Sequence, residues 1–319
     1  MFSTSYLLFQ SLTAVAIGDA LGVPIQFKKR QSLFKNPVSK MTGHGAFDLP
    51  AGVWSDDTSL TVASLNSLTY GFNLNDLMLR YSNWYKFGHY TPLGKSFDIG
   101  RTTMNAIEKF NQGTPPELCG GETEEDNGNG ALMRLMPLSF YLLNKYPDYS
   151  FDDTICEYVE KFTSVTHRHK RSLIASSILT NVIIRVIMNP NKYAMLHAIT
   201  EVLDYYAEKP GYSYELTFFT GFDKADFYRI PNEKVISSGY VIDTLQSVFW
   251  CLMNSEKYES AVKKAINLGN DADTIGSITS MLASVLYAPV SFPSDWLTNL
   301  KGRNELKWSV AAALLSNNF

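Results

Sequence analysis

Two short acidic runs stand far apart in the chain. Trp54-Ser55-Asp56-Asp57-Thr58 leads into one helical pattern, and Gly269-Asn270-Asp271-Ala272-Asp273-Thr274-Ile275-Gly276 leads into another. A single Ser, Asp or Thr at such a place is an ordinary N-cap, its oxygen accepting from the unpaired N–H groups of the first turn. Capping consumes one side chain, whereas each run offers two carboxylates with a hydroxyl beside them. Carboxylates crowded together repel and lose solvation unless a cation gathers them. Neither run has a neighbouring Cys or His, and oxygen donors alone suit a hard ion, Mg²⁺ or Mn²⁺ rather than zinc or copper. If the two helix starts meet in space, they could hold a pair of ions about 3.5–4 Å apart, a spacing that activates water and polarises an oxygen-rich substrate.

The elements that would have to position these runs are helical. Apolar residues recur at three- and four-residue intervals, as in Leu7, Leu8, Leu12, Val15 and Ala16, or Leu173, Ile174, Ile178, Leu179, Val182 and Ile183. The same period marks 58–70, 74–87, 100–111, 130–145, 152–164, 193–207, 238–253, 257–267, 273–287 and 304–315. No comparable set of alternating strand patterns stands out, so the expected class is all-α, a compact multi-helix assembly. Gly, Pro, Asn and Asp punctuate the segments between, as at Gly43-His44-Gly45, Gly113 to Pro116, Gly120 to Gly130 and Asn189-Pro190-Asn191. The Tyr- and Phe-rich stretch from Gly211 to Lys234 has no clear period and reads as an aromatic loop, a small hairpin at a binding rim, or a buried excursion over the core. With no internal repeat and no separating linker, residues 1–319 are expected to form a single domain.

Composition narrows the function classes. Hydrophobic residues at 45% and charged residues at 18% describe an ordered chain with a substantial core. The net charge is −3, and apart from Lys28, Lys29 and Arg30 and the run Arg168 to Arg171 the basic residues are scattered, a poor footprint for a phosphate backbone. No nucleic-acid partner is expected. Cys119, Cys156 and Cys251 are widely separated and show neither zinc nor disulfide spacing, which makes the cytoplasm the expected compartment. The apolar N-terminal segment has no Lys or Arg ahead of it, and removing it as a signal peptide would discard Gly18-Asp19-Ala20-Leu21-Gly22. The apolar run Leu173 to Met188 is interrupted by polar residues and falls short of the about 20 residues a membrane span needs. We therefore expect no membrane segment and a monomer.

The order of several motifs resembles the ADP-ribosylglycohydrolase family. The chain carries Gly18-Asp19-Ala20-Leu21-Gly22, Ser55-Asp56-Asp57-Thr58, Gly128-Asn129-Gly130 leading to Met133-Arg134, Thr166-His167 and Asp271-Ala272-Asp273-Thr274, in the family's order. Phe97-Asp98-Ile99-Gly100 and Gly239-Tyr240-Val241-Ile242-Asp243-Thr244 look like two further family segments. Each motif alone is weak; together they span roughly residues 10 to 290.

The resemblance implies an orthogonal all-helical fold around a central dinuclear metal cleft. It implies Ser55, Asp56, Asp57, Asp271, Asp273 and Thr274 as ligands of two Mg²⁺ or Mn²⁺ ions, set against the ribose hydroxyls beside the anomeric carbon. Asp56, Asp57, Asp98 and Asp273 become the catalytic candidates, because glycosidic cleavage builds positive charge that nearby carboxylates stabilise. Asp98 matches a carboxylate that orients a guanidinium or assists proton transfer; a loop or capping residue is the plainer reading. Gly128, Asn129 and Gly130 would offer a pyrophosphate donors without bulk, although an ordinary turn would look the same. His167 would donate to a phosphate or hold its loop, and Tyr240 would stack on an aromatic or ribose face or simply join the core.

One position departs from the pattern. The family's first segment usually continues to a Glu, and this chain has Gln26, which keeps the hydrogen-bonding shape but cannot carry charge. In the branch that cleaves serine-linked ADP-ribose that Glu matters, so Gln26 directs the expectation to arginine-linked substrate. The expected function is removal of ADP-ribose from a modified protein side chain, reversing an ADP-ribosyltransferase. Two alternatives stand beside it: a binding protein that occludes a transferase through the segment 211–234 or 117–127, and a hydrolase of another ADP-ribose conjugate.

Overall fold

The computed structural model describes residues 3–319, and among them the regular structure is helical, without a β-strand. Side-chain caps start many of the helices. Ser3 opens α1 (Thr4–Gly22), and after the short α2 (Arg30–Lys35), Ser55 opens α3 (Asp56–Leu68). Asn73 caps α4 (Leu74–Phe87), which stops at Gly88 in the left-handed conformation. Helix α5 (Arg101–Asn111) follows a loop, α6 (Met136–Lys145) begins with Pro137 in its first turn, and Asp152 caps α7 (Asp153–Ser164). His169 and Asn191 cap α8 (Lys170–Met188) and α9 (Lys192–Ala207). The chain continues through α10 (Ser213–Leu216), α11 (Val241–Met253), α12 (Tyr258–Ile266), α13 (Ala272–Leu286), α14 (Ser294–Asn299) and α15 (Arg303–Leu314).

Helices α1 and α13 form the centre, and a seam of small residues decides how closely they meet. A Cβ at Gly18 would lie 2.2 Å from the carbonyl oxygen of Gly276, and one at Gly22 would lie 2.3 Å from Cα of Asp273. Only glycine permits this backbone-to-backbone approach. The seam sets the second acidic run directly against the C-terminal end of α1. Two helical segments, Thr4–Ile25 and Lys170–Met188, are long and apolar enough to cross a membrane, but 94% and 89% of their apolar windows are buried inside the fold. The second is longer than the apolar run counted from sequence, because Lys170 to Ser172 belong to the same helix.

One expectation about elements is corrected, and one left open is decided for a buried excursion over the core. The period across 130–145 is broken into a 3₁₀ turn, Leu132–Arg134, and α6, because Pro137 can stand only near a helix start. The stretch 211–234 is neither hairpin nor rim loop: α10 and three 3₁₀ turns carry Phe219, Phe222 and Tyr228 into the interior.

Candidate active site

The site begins with Asp19, a residue that sequence inspection quotes only as part of a motif. It is fully buried on α1, and its carboxylate accepts from Ser55 N at 2.9 Å, Thr58 N at 3.0 Å and Thr58 Oγ1 at 2.6 Å. Asp19 thus takes up donors that the first turn of α3 leaves unpaired and fixes that turn against α1. Burial pushes its carboxyl up to about 6, against the pull of those hydrogen bonds. Since α1 also carries the glycine seam, one helix positions both acidic runs.

The two runs do meet. Thr274 Oγ1 donates to Asp57 Oδ2 and to Asp271 Oδ1, both at 3.3 Å, and Ser55 Oγ donates to Asp57 Oδ2 at 3.2 Å. Asp57 Oδ1 and both carboxylate oxygens of Asp273 are buried without a hydrogen-bond partner. Burial raises the carboxyls of Asp56, Asp57 and Asp273 well above the usual range. Neighbouring carboxylates push in the same direction: Asp98 foremost on Asp56, Asp19 on Asp57 and Asp271 on Asp273. Burial also raises Asp271 and Asp98. Orphaned anionic oxygens beside hydroxyls form a donor set that fits a hard divalent cation, which would supply the missing opposite charge.

Over this cluster opens a cavity of about 440 Å³, within the usual range for small-molecule sites. Gln26, Asp56, Asp98, Asp271 and Thr274 line one part of it, with Gly128, Asn129, Gly130 and His167 also on its wall. Asp98 stands at φ +55°, a left-handed conformation uncommon for a non-glycine residue.

The glycine turn is held by its neighbours. Asn129 N–H donates to Gly239 O at 3.0 Å, and its side-chain amide donates to Thr244 Oγ1 at 2.9 Å and to Asp271 Oδ2. A Cβ at Gly130 would come within 3.0 Å of Thr103 Oγ1 and 3.1 Å of the His167 ring. His167 is buried, its Nδ1 lies 2.8 Å from Thr166 Oγ1, and burial pushes its pKa down to about 3, so the ring is neutral. Arg134 is the brace beneath: fully buried between the rings of Tyr81 and Phe162, it donates to Tyr81 Oη at 2.5 Å, Thr166 Oγ1 at 2.6 Å and Gly130 O at 3.3 Å.

Tyr240 stands apart from the cavity lining. Its hydroxyl accepts from Arg171 Nη1 at 3.0 Å, while Gly128 pairs with it through the backbone. Arg171, missed from sequence, also binds Glu124 Oε2 at 2.7 Å and Glu215 Oε2 at 2.8 Å. Glu124, His169 and Glu215 are close enough together to serve as metal ligands. Arg171 already compensates both of these carboxylates, whereas no such cation is paired with Asp57 or Asp273. The aspartate cluster is therefore the better-suited of the two metal-binding groupings.

A family model for ADP-ribosylglycohydrolases matches residues 8–318. The chain belongs to the ADP-ribosylglycohydrolase family and is a hydrolase of ADP-ribose linkages. Among its relatives, the ADP-ribosylarginine hydrolase Tri1 of Serratia proteamaculans is 29% identical over 298 residues, covering 91% of this chain and 74% of the relative. The ADP-ribosyl-[dinitrogen reductase] glycohydrolase of Rhodospirillum rubrum is 27% identical, covering 94% and 92%. A solved chain described as an ADP-ribosylglycohydrolase-related protein complex superposes with a TM-score of 0.77 at 26% identity, covering 97% of both chains.

Proposed function

We propose that this enzyme removes ADP-ribose N-linked to arginine on modified proteins. The observation that carries the reading is the junction of the two acidic runs, with Asp56, Asp271 and Thr274 lining one cavity and three buried carboxylate oxygens of Asp57 and Asp273 left without partners. Relatives named as ADP-ribosylarginine hydrolases, and Gln26 in place of the acid expected for serine linkage, supply the arginine assignment.

Ser55, Asp56, Asp57, Asp271, Asp273 and Thr274 are the residues that would hold two Mg²⁺ or Mn²⁺ ions. Bound there, the ions would neutralise the carboxylates and supply Lewis acidity toward water and the ribose hydroxyls. The chain's own groups do the rest. Asp56 and Asp98 face the cavity, and in their ionised form they favour positive charge developing on the ribose. In the hydrolysis the anomeric C–N bond breaks, water oxygen takes its place, and a proton passes to the departing guanidino nitrogen, with Asp98 placed to orient that group. Gly128 and Gly130 keep the cavity wall free of side chains for the pyrophosphate, His167 stays neutral beside them, and Asn129 ties the turn to Asp271.

The test is release of ADP-ribose from an arginine-modified protein with Mg²⁺, with Mn²⁺ and with chelator, beside a serine-modified control. Metal-dependent release from arginine alone is expected. Release that survives chelation, or that is confined to serine, would overturn the assignment.

A further inference from the structure

We infer that Phe27, Phe47 and Phe97 form an aromatic acceptor rim that stacks on the planar guanidinium of the modified arginine and so selects the leaving group. This rests on the arginine reading above and extends it to residues outside the acidic cluster. Phe27 lines the same cavity as Gln26, Asp56 and Asp98, yet its side chain leaves the residue 68% exposed. An exposed phenylalanine in a catalytic cavity has no packing reason to be there, and its backbone makes the position less natural still. It stands at φ +65°, where a bulky residue is a steric outlier. The conformation is imposed by a backbone bond from Phe27 N to Asn270 O at 2.7 Å, next to Asp271.

The ring is not isolated. Phe27 and Phe47 lie 6.3 Å apart between centroids, and Phe47 and Phe97 5.2 Å apart, both pairs tilted. Phe97 immediately precedes Asp98, and of the three rings it is Phe27 that lines the cavity with that carboxylate. The loop bearing Phe47 is pressed onto the segment before Phe27, since a Cβ at Gly45 would fall 1.9 Å from Pro24 O. Aromatic faces beside carboxylates at the mouth of a cavity suit a flat organic cation, which the rings attract through their quadrupole and the acids through charge. A neutral serine hydroxyl gains from neither. The opposite wall, with its glycines, provides no ring of this kind from the turn itself.

The experiment compares wild type with Phe27→Leu, which keeps apolar bulk without a π face, and with Phe27→Tyr, which restores the face. Three quantities are read: turnover of arginine-modified protein, binding of free ADP-ribose, and binding of agmatine as a guanidinium probe in the presence of ADP-ribose. Phe27→Leu is expected to lower kcat/KM about three- to thirty-fold, mainly through KM, and to weaken agmatine by a similar factor, the range a cation–π contact provides. Its ADP-ribose affinity should stay within about twofold of wild type, and Phe27→Tyr should recover both losses. A Phe27→Leu enzyme that matches wild type, or that loses ADP-ribose affinity in parallel, overturns the rim. A wild type that binds agmatine in a Phe27-dependent way without releasing ADP-ribose supports the rim and overturns the hydrolase reading instead.

Discussion

Replacing Asp273 by Asn should separate the cost of the acidic cluster from its use. Both oxygens of Asp273 are buried without a partner, and burial and the neighbouring Asp271 and Asp57 all oppose its charge. Asn has nearly the same shape, removes one charge and brings an N–H₂ group among the Asp271 and Asp57 carboxylates whose charges act on Asp273. Relief of an unsatisfied buried acceptor amounts to about 1–3 kcal/mol. At about 2.1 cal/mol/K per residue, a chain of 319 residues unfolds with an entropy near 0.67 kcal/mol/K, so that gain raises Tm by about 1.5–4.5 °C. Ligand linkage acts the opposite way: a divalent ion at about 100 times its Kd stabilises wild type by about 2.7 kcal/mol, or about 4 °C per site. In thermal melts, chelated Asp273→Asn should therefore melt above chelated wild type, and added Mg²⁺ or Mn²⁺ should raise wild type while leaving the variant nearly unmoved. Equal melting in chelator together with equal metal shifts would refute the reasoning, because the carboxylate would then be neither a burden nor a ligand.

Gly22→Ala places a methyl 2.3 Å from Cα and 2.4 Å from N of Asp273, both backbone atoms that no rotamer change can clear. It should destabilise the protein by about 3 kcal/mol in chemical denaturation and abolish turnover; a loss under about 0.5 kcal/mol would show that α1 and α13 can separate freely. His167 gives a pH signature whose sign follows from its depressed pKa. The unfolded chain takes up a proton near pH 6.5 while the native ring does so only near 3, so native stability is lost as pH falls through that window. Relative to His167→Gln, wild type should lose about 1.6 kcal/mol between pH 6.5 and 5 in urea unfolding, and parallel pH profiles would contradict the neutral buried ring.

The parts of the site that sequence spacing reveals are those whose cause is local. The starts of α3 and α13 are visible because Ser55-Asp56-Asp57 and Asp271-Ala272-Asp273 put cap-type residues and an excess of carboxylates ahead of an apolar period, although only Ser55 caps through its side chain. The long helices follow for the same reason, and α4 runs over the expected 74–87 because Asn73 and Gly88 delimit it. What stays hidden depends on distant partners. Asp19 looks like any polar residue on an apolar helix until Ser55 and Thr58 are seen to donate to it. The one available signal is the four-residue spacing of Gly18 and Gly22, which implies a close neighbour without naming it. Arg134 resembles a surface basic residue until Tyr81 and Phe162 enclose it. Residues 211–234 lack a period because 3₁₀ turns bury their aromatics without any regular face.

Several unfavourable features of this structure gather at the cavity, and that gathering bears on function. Phe27 and Asp98, which line the cavity, and Asn270, next to Asp271, all adopt left-handed backbone conformations, the bulky Phe27 at a cost of about 1–3 kcal/mol. The buried aspartates lie between them. None of these costs would persist in a region free to relax. They persist here because the surroundings over-determine them: Asn270 N–H is held by Lys28 O at 2.9 Å, Asp271 N–H by Ser237 O at 3.1 Å, and Phe27 N–H by Asn270 O. Asp19 and the glycine seam fix the helices on either side. A framework that rigid holds anionic oxygens apart from solvent and from one another's hydrogen bonds, so their reorganisation is completed during folding rather than during each turnover. Easing any one constraint should therefore make the protein more stable or more mobile before it makes it unfolded, and the property lost first should be catalysis.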